Sequence, residues 1–417
     1  MILAKEKDMT KKKNLSFTKF FALLLSCLIL VSAGSMVKVS ADGTTQTDAT
    51  AAITKEIQMP EGIDKPTGTV TFEFKQADAQ RDPALSDVVL TLPGDATKEE
   101  TAGGITTLTF EKALEEISTA AGKKFEGKSA GVYEYTVTEK QTGIDVTTVG
   151  KLEKHAIYSQ ASYKMQVQVA NKTDAQGTPT GGTYIKVIKV TPLTKDDGTA
   201  INNGEKVEPK PSDDGKQGND FKFINKYSTT VNNEGGKDPT TVPFSIEKIV
   251  AGEEGDVNQA FEFKFTIQKP ALIAEETPSE TFTYSIVPDT TANGAGVEAK
   301  TDVTGTYGQE ITITLGHKDK LLVTKTYEGS KVTADESNAY GHEKAIAYKS
   351  SKNEEKTAIT DEILLGQNNA AVVTNTKNTT TTVGFFLDNA PIILLIVVAV
   401  AAVVLFTFVN KKRKAQR

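Results

Sequence analysis

The side chains that most often carry chemistry are scarce in this chain. Its 417 residues include three His (His155, His317 and His342), one Cys (Cys27) and no Trp. Metal sites draw heavily on imidazole and thiolate, so zinc, iron–sulfur and thiol chemistry are nearly excluded, and neither a metal nor a cofactor is expected. There is no nucleophile elbow, no paired His and no Trp for stacking a sugar, so the chain reads as a non-enzyme rather than a secreted hydrolase. What recurs is a Lys, a Glu and an Asn, in that order, each on a strand-like segment. The first set lies in Thr54-Lys55-Glu56-Ile57, in Gly131-Val132-Tyr133-Glu134-Tyr135-Thr136-Val137-Thr138-Glu139 and in Phe221-Lys222-Phe223-Ile224-Asn225-Lys226. The second lies in Ile246-Glu247-Lys248-Ile249-Val250-Ala251-Gly252, in Lys331-Val332-Thr333-Ala334-Asp335-Glu336 and in Val372-Val373-Thr374-Asn375-Thr376. Singly, each has an ordinary explanation: a solvated edge Lys, an exposed Glu after a strand, an Asn in a turn. The repeated order is what asks for more.

The elements that must position these residues are strands. Period-2 alternation recurs in Thr69-Val70-Thr71-Phe72-Glu73-Phe74, Tyr163-Lys164-Met165-Gln166-Val167, Tyr184-Ile185-Lys186-Val187-Ile188, Phe261-Glu262-Phe263-Lys264-Phe265 and Ile311-Thr312-Ile313-Thr314-Leu315. Half-buried strands separated by turn signals predict an all-β fold of sandwich type. One helical patch is expected over 111–121, where Ala113, Leu114 and Ile117 fall at helix spacing. The stretch 196–220, polar and rich in Gly, Lys and Pro, is too long for an ordinary loop. The stretch 226–241, with Gly235-Gly236 and Pro239, reads as the connection between two halves that repeat one plan.

Both ends look like addresses. A basic segment, an apolar run over 20–31 and Val39-Ser40-Ala41 form the layout of a secretory signal peptide, 1–41. The apolar run continues past Cys27, unlike a lipoprotein box, and cleavage after Ala41 leaves a mature chain without cysteine. Eighteen uncharged residues, 392–409, are followed by Lys411-Lys412-Arg413-Lys414, a transmembrane helix with a positive-inside stop. The formal net charge is −6, but +5 at each end leaves 42–384 near −15. Nucleic acid is therefore not an expected partner.

Just before this helix, Gly384 and Leu387-Asp388-Asn389-Ala390-Pro391 resemble the cell-wall sorting signals of Gram-positive pilins. The candidate motif Thr381-Thr382-Val383-Gly384 departs from that pattern: Thr382 stands at the usual Pro and Val383 at the usual scissile Thr. The paired Lys, Glu and Asn segments resemble the streptococcal pilin isopeptide linkage domain, the sandwich of T-antigen-type major pilins in sortase-assembled pili. Gly131 to Glu139 is the most specific element; in the second half Val332 and Ala334 stand where aromatic and Val are usual. The resemblance implies two tandem immunoglobulin-like, CnaB-type β-sandwiches, 42–230 and 231–378, followed by a sorting region, 379–417. It implies amide bonds joining Lys55 to Asn225 and Lys248 to Asn375, with Glu139 and Glu336 as the catalytic carboxylates of self-crosslinking. Burial makes this chemistry reasonable, because it favours a neutral, nucleophilic Lys and a protonated Glu. It also implies a backbone pilin anchored or polymerised by sortase on a Gram-positive surface, with other subunits and peptidoglycan as partners. Lys210 and Lys216 are the candidate intersubunit lysines. The alternative is a monomeric wall- or membrane-anchored adhesin, an accessory pilin that binds a host ligand.

Overall fold

A computed structural model describes residues 46–118, 123–207, 209, 220–291 and 295–379. Over these the alternating segments fold as strands, as the all-β expectation requires. The first half contains β1 (Ala52–Pro60), β2 (Gly68–Gln76), β3 (Val88–Leu92), β4 (Lys98–Ala102), β5 (Ile105–Ala113), a one-turn helix α1 (Glu115–Ser118), β6 (Gly131–Glu139), β7 (Leu152–Ile157), β8 (Ser162–Thr173), β9 (Pro179–Thr194) and β10 (Lys222–Asn232). The second contains β11 (Phe244–Ala251), β12 (Phe261–Gln268), β13 (Thr281–Val287), β14 (Lys300–Thr306), β15 (Ile311–Leu315), β16 (Lys320–Tyr327), β17 (Lys331–Glu336), β18 (Glu343–Lys349), β19 (Glu355–Lys356), β20 (Ile359–Ile363) and β21 (Asn369–Thr376).

Each half is a sandwich with its own core. A sheet ordered β3-β2-β6-β8-β9 faces strands β7, β10, β1, β5 and β4 in the first, and β15-β12-β17-β20 faces the sheet around β21, β11 and β16 in the second. Val70, Phe72, Tyr135, Met165 and Phe223 fill one core, and Phe244, Phe263, Phe265, Leu321 and Val373 fill the other. Each such side chain contributes about 1.5–3 kcal/mol through its removal from water. Gln46 and residues 171–182 form a small unit of their own, in which the Gln46 amide donates to Thr173 Oγ1 and accepts from the Thr173 N–H, both at 3.0 Å.

The first and last strands of each sandwich are parallel neighbours, and the register is the same in both. Lys55 on β1 stands opposite Phe223 on β10, two residues before Asn225, and Lys248 on β11 stands opposite Val373 on β21, two residues before Asn375. Because side chains two apart share a face, each Lys and Asn point into the same core.

Two expectations need correction. Glu111, Lys112 and Ala113 end β5, held in an antiparallel ladder against Thr54, Ile53 and Ala52, and α1 spans only Glu115–Ser118. The ladder hydrogen bonds of the neighbouring strand override a helical spacing that only Leu114 and Ile117 use for burial. The connection between halves is also shorter than 226–241. β10 runs on to Asn232, pairing with β7 over Lys226–Val231 and with β16 over Thr230–Asn232, so one sheet passes from one sandwich to the next. The signal peptide, the helix over 392–409, Thr381, Thr382, Val383 and Gly384, and Lys210 and Lys216 lie outside the described residues.

Candidate functional site

A Lys on a strand reaches a core only if something there receives its charge, because an unpaired buried ammonium costs several kcal/mol. In the first sandwich the receiver is Glu139. β6 crosses in the facing sheet with Glu139 opposite Phe72 of β2, and the alternation of β6 turns Tyr133, Tyr135, Val137 and Glu139 inward together. Lys55 Nζ lies 2.7 Å from Glu139 Oε2, and Asn225 Nδ2 donates to Glu139 Oε1 at 2.5 Å. Lys55 and Asn225 are fully buried and Glu139 is 4% exposed. Packed aromatic rings close the surroundings: Phe72 and Phe223 are 4.9 Å apart, and Tyr163 stands edge-on to Phe221 and Phe223.

The second sandwich repeats this arrangement. Glu336 on β17 stands opposite Phe263 of β12, as Glu139 stands opposite Phe72. Lys248 Nζ is 2.7 Å from Glu336 Oε2, and Asn375 Nδ2 donates to Glu336 Oε1 at 2.6 Å. The Lys248 ammonium also sits 4.3 Å from the centre of the Phe261 ring. Lys248 and Asn375 are fully buried and Glu336 is 3% exposed. The structure thus brings together all six residues singled out in the sequence, in two sets of three, although Val332 and Ala334 depart from the usual pattern on the Glu strand.

Burial shifts both amines and the carboxyl of the first set. Desolvation pulls Lys55 down to about 8 against the opposing pull of Glu139, and pulls Lys248 down to about 8 against Glu336. The same loss of water pushes Glu139 up, with Lys55 and Asn225 acting in the opposite direction. At the first site the two shifts bring amine and carboxyl closer together, which favours passing the shared proton from Lys55 to Glu139 and leaving a neutral amine beside a carboxylic acid.

Other residues at these sites carry no signal in the sequence. The Ser159 N–H donates to Asn225 Oδ1 at 2.6 Å, and Ser159 Oγ donates to Asp196 Oδ1 at 2.5 Å. Asp196 Oδ1 also accepts from the Ile224 N–H at 2.7 Å. Ser159 lies in the loop after β7 and Asp196 just beyond β9, within the long polar stretch flagged in the sequence. No motif marks them, because a backbone N–H belongs to every residue except proline. A further buried carboxyl, Glu328, sits where the sandwiches meet. It accepts from Thr229 Oγ1 and from the Gly366 N–H, and burial pushes its pKa up.

Residues 243–377 match the model of a family described as a domain of unknown function, DUF7601. No match is found among curated proteins. Among solved structures, the chain is similar to the major pilin from Streptococcus pyogenes, at 17% identity over 80% of this chain and 99% of that one, with a TM-score of 0.29. A mutant of that pilin gives 17% identity, coverage of 80% and 100%, and a TM-score of 0.32. A pilus-presented adhesin is similar at 11% identity over 78% of this chain and 100% of that one, with a TM-score of 0.24.

Proposed function

We propose that this chain is a structural subunit of a cell-surface pilus, in which each sandwich is closed by an amide bond that it makes for itself. The observation that carries the reading is the pair of buried Lys–Glu–Asn sets in one register, each joining the first strand of a sandwich to its last. A binding or purely packing role for these residues gives no reason to bury two ammonium groups, two carboxyls and two carboxamides in contact. Replacing such sets by apolar side chains is often neutral or stabilising.

The chemistry follows from the contacts. With the proton on Glu139, Lys55 Nζ is a free amine and attacks Asn225 Cγ. Glu139 touches both the nitrogen that attacks and the nitrogen that leaves. It delivers its proton to Nδ2, which departs as ammonia, and takes in exchange the proton that Nζ sheds. The Nζ–Cγ bond forms, the Cγ–Nδ2 bond breaks, and no other reactant is needed. Lys248, Glu336 and Asn375 do the same in the second sandwich. Held on neighbouring strands, amine and carboxamide react at the high effective molarity of groups fixed in place. Each site works once.

The benefit is mechanical. Tension entering β1 crosses to β10 through a covalent bond rather than through ladder hydrogen bonds, and a chain that loses Cys27 with its leader has no disulfide to do this. Export through 1–41, retention by 392–409 and transfer by a sortase at Thr381–Gly384 would place these sandwiches end to end on the wall, with Lys210 or Lys216 receiving the next subunit. Immunoblots of wall extracts test this role. A ladder of high-mass species that disappears on deletion of the sortase gene is expected; a single wall-linked band would overturn the polymer reading in favour of a monomeric adhesin.

A further inference from the structure

The two sites differ in one respect that bears on rate. At the first, the Ser159 N–H donates to Asn225 Oδ1 at 2.6 Å, within a site where Ser159 is 1% exposed. A backbone N–H can only donate, so the atom facing it is the carboxamide oxygen, and the nitrogen is left facing Glu139. Glu139 therefore stands on the leaving-group side, and polarising the carbonyl falls to the Ser159 amide. At the second site Asn375 Nδ2 faces Glu336 in the same way, but Asn375 Oδ1 is buried without a hydrogen-bond donor among the described residues.

The topology explains the difference. β7 flanks β10 but stops at Ile157, opposite Lys226, one position short of Asn225. The chain then turns away and presents the Ser159 N–H to the Asn225 side chain. In the second sandwich β18 flanks β21 and passes directly alongside Asn375, with Lys344 in register with it, so its backbone belongs to the ladder. The Ser159 amide is held from three sides. Its Oγ donates to Asp196 Oδ1, its carbonyl accepts from Gln141 Nε2 at 2.8 Å, and the next residue, Gln160, donates its N–H to the Asp196 carbonyl at 2.9 Å. Asp196 Oδ1 also receives the Ile224 N–H, which ties this loop to the strand carrying Asn225.

We infer that the Ser159 backbone amide is a fourth catalytic group of the first sandwich, binding the negative charge that grows on Asn225 Oδ1 as Lys55 attacks, with Asp196 as its positioning residue, and that the second sandwich, lacking a counterpart, closes later. The inference rests on the crosslinking reading above and adds to its machinery. When Lys55 Nζ bonds to Cγ, the carbonyl electron pair moves onto Oδ1; when the pair returns, Nδ2 leaves with the proton brought by Glu139. A donor aimed at that oxygen lowers both the addition and the collapse transition states relative to the starting carboxamide, and losing one such donor typically costs about 10²–10³ in rate.

Time courses on the full chain test it. The protein is made by cell-free translation, synthesis is stopped, samples are quenched in acid at intervals, and the loss of ammonia at each site is read from the masses of the linked peptides. The Lys55–Asn225 bond is expected on the order of a hundred times sooner than the Lys248–Asn375 bond. Asp196→Ala should slow the first bond by at least about tenfold and leave the second unmoved, while Asp196→Asn, which retains an oxygen for the Ser159 hydroxyl, should restore most of the rate. Equal time courses for the two wild-type bonds would overturn the inference without recourse to any variant. So would an Asp196→Ala chain that forms its first bond at the wild-type rate. Loss of no ammonia at either site is a distinct result: it would overturn the crosslinking reading itself.

Discussion

Pulling one molecule by its ends turns the proposed bonds into lengths. Tension applied at the ends of the described chain enters β1, crosses the Lys55–Asn225 bond, leaves along β10, enters β11 and crosses the Lys248–Asn375 bond. Everything between Lys55 and Asn225, and between Lys248 and Asn375, stays out of the loaded path. Glu139→Ala removes the proton carrier of the first site and leaves its bond unmade. The roughly 170 residues between Lys55 and Asn225, at about 3.3–3.6 Å each, would then pay out about 560–610 Å when the first sandwich yields. Glu336→Ala exposes the roughly 127 residues between Lys248 and Asn375 and gives a step of about 420–460 Å. Force spectroscopy on the wild type should show neither step up to the detachment force. Each single variant should show its own step only, and the double variant both. The parallel β1–β10 and β11–β21 ladders would be sheared in the variants, so a measurable force should precede each step. A wild-type chain that releases either length, or a Glu139→Ala chain that releases none, would refute the reasoning.

Two other predictions concern stability. Glu328 has a carboxyl pKa raised by burial, so the stability it contributes is fully present below the ordinary carboxylate pKa and is lost as pH rises through the raised value. Glu328→Gln keeps an oxygen for the Gly366 N–H and offers its amide to the Thr229 hydroxyl; in thermal melts it should exceed the wild type at about pH 8 and match it near about pH 4, and a variant less stable at both would contradict this. Gly252, which ends the Lys248 strand at φ +90°, would carry a Cβ 2.2 Å from the Lys377 carbonyl oxygen. Gly252→Ala should therefore cost the second sandwich about 1–3 kcal/mol or more in denaturant titrations, and a loss within error would show that the turn relaxes.

The sequence made the strands legible wherever one face is buried and the other is wet. β2, β6 and β12 alternate cleanly, and their inward residues were the ones that lead to the Glu of each set. β16 is another matter: Leu321, Leu322 and Val323 are all buried, and since successive side chains point to opposite faces, both faces of the strand are covered. A strand covered on both faces has no period to read. Asn225 looked like a strand end because polar residues follow it, yet the chain continues as β10, since Lys226 to Asn232 find ladder partners in β7 and β16 that lie far away in the sequence. The helical spacing at Ala113, Leu114 and Ile117 lost for the same reason. Order and spacing brought out the six side chains of the two sets, but not their burial, which depends on register across sheets. Ser159 and Asp196 were illegible in principle: one acts through its backbone, and the other is an ordinary loop Asp until folding sets it beside Ile224.

The central claim is covalent and can be weighed. Intact-mass spectrometry of the purified chain 42–377 should give a value lighter than its sequence by two ammonias, falling to one in Glu139→Ala and in Glu336→Ala, with linked peptides joining Lys55 to Asn225 and Lys248 to Asn375. A wild-type mass equal to that of the sequence would contradict the account, leaving one buried ion pair in each of two sandwiches that bond nothing.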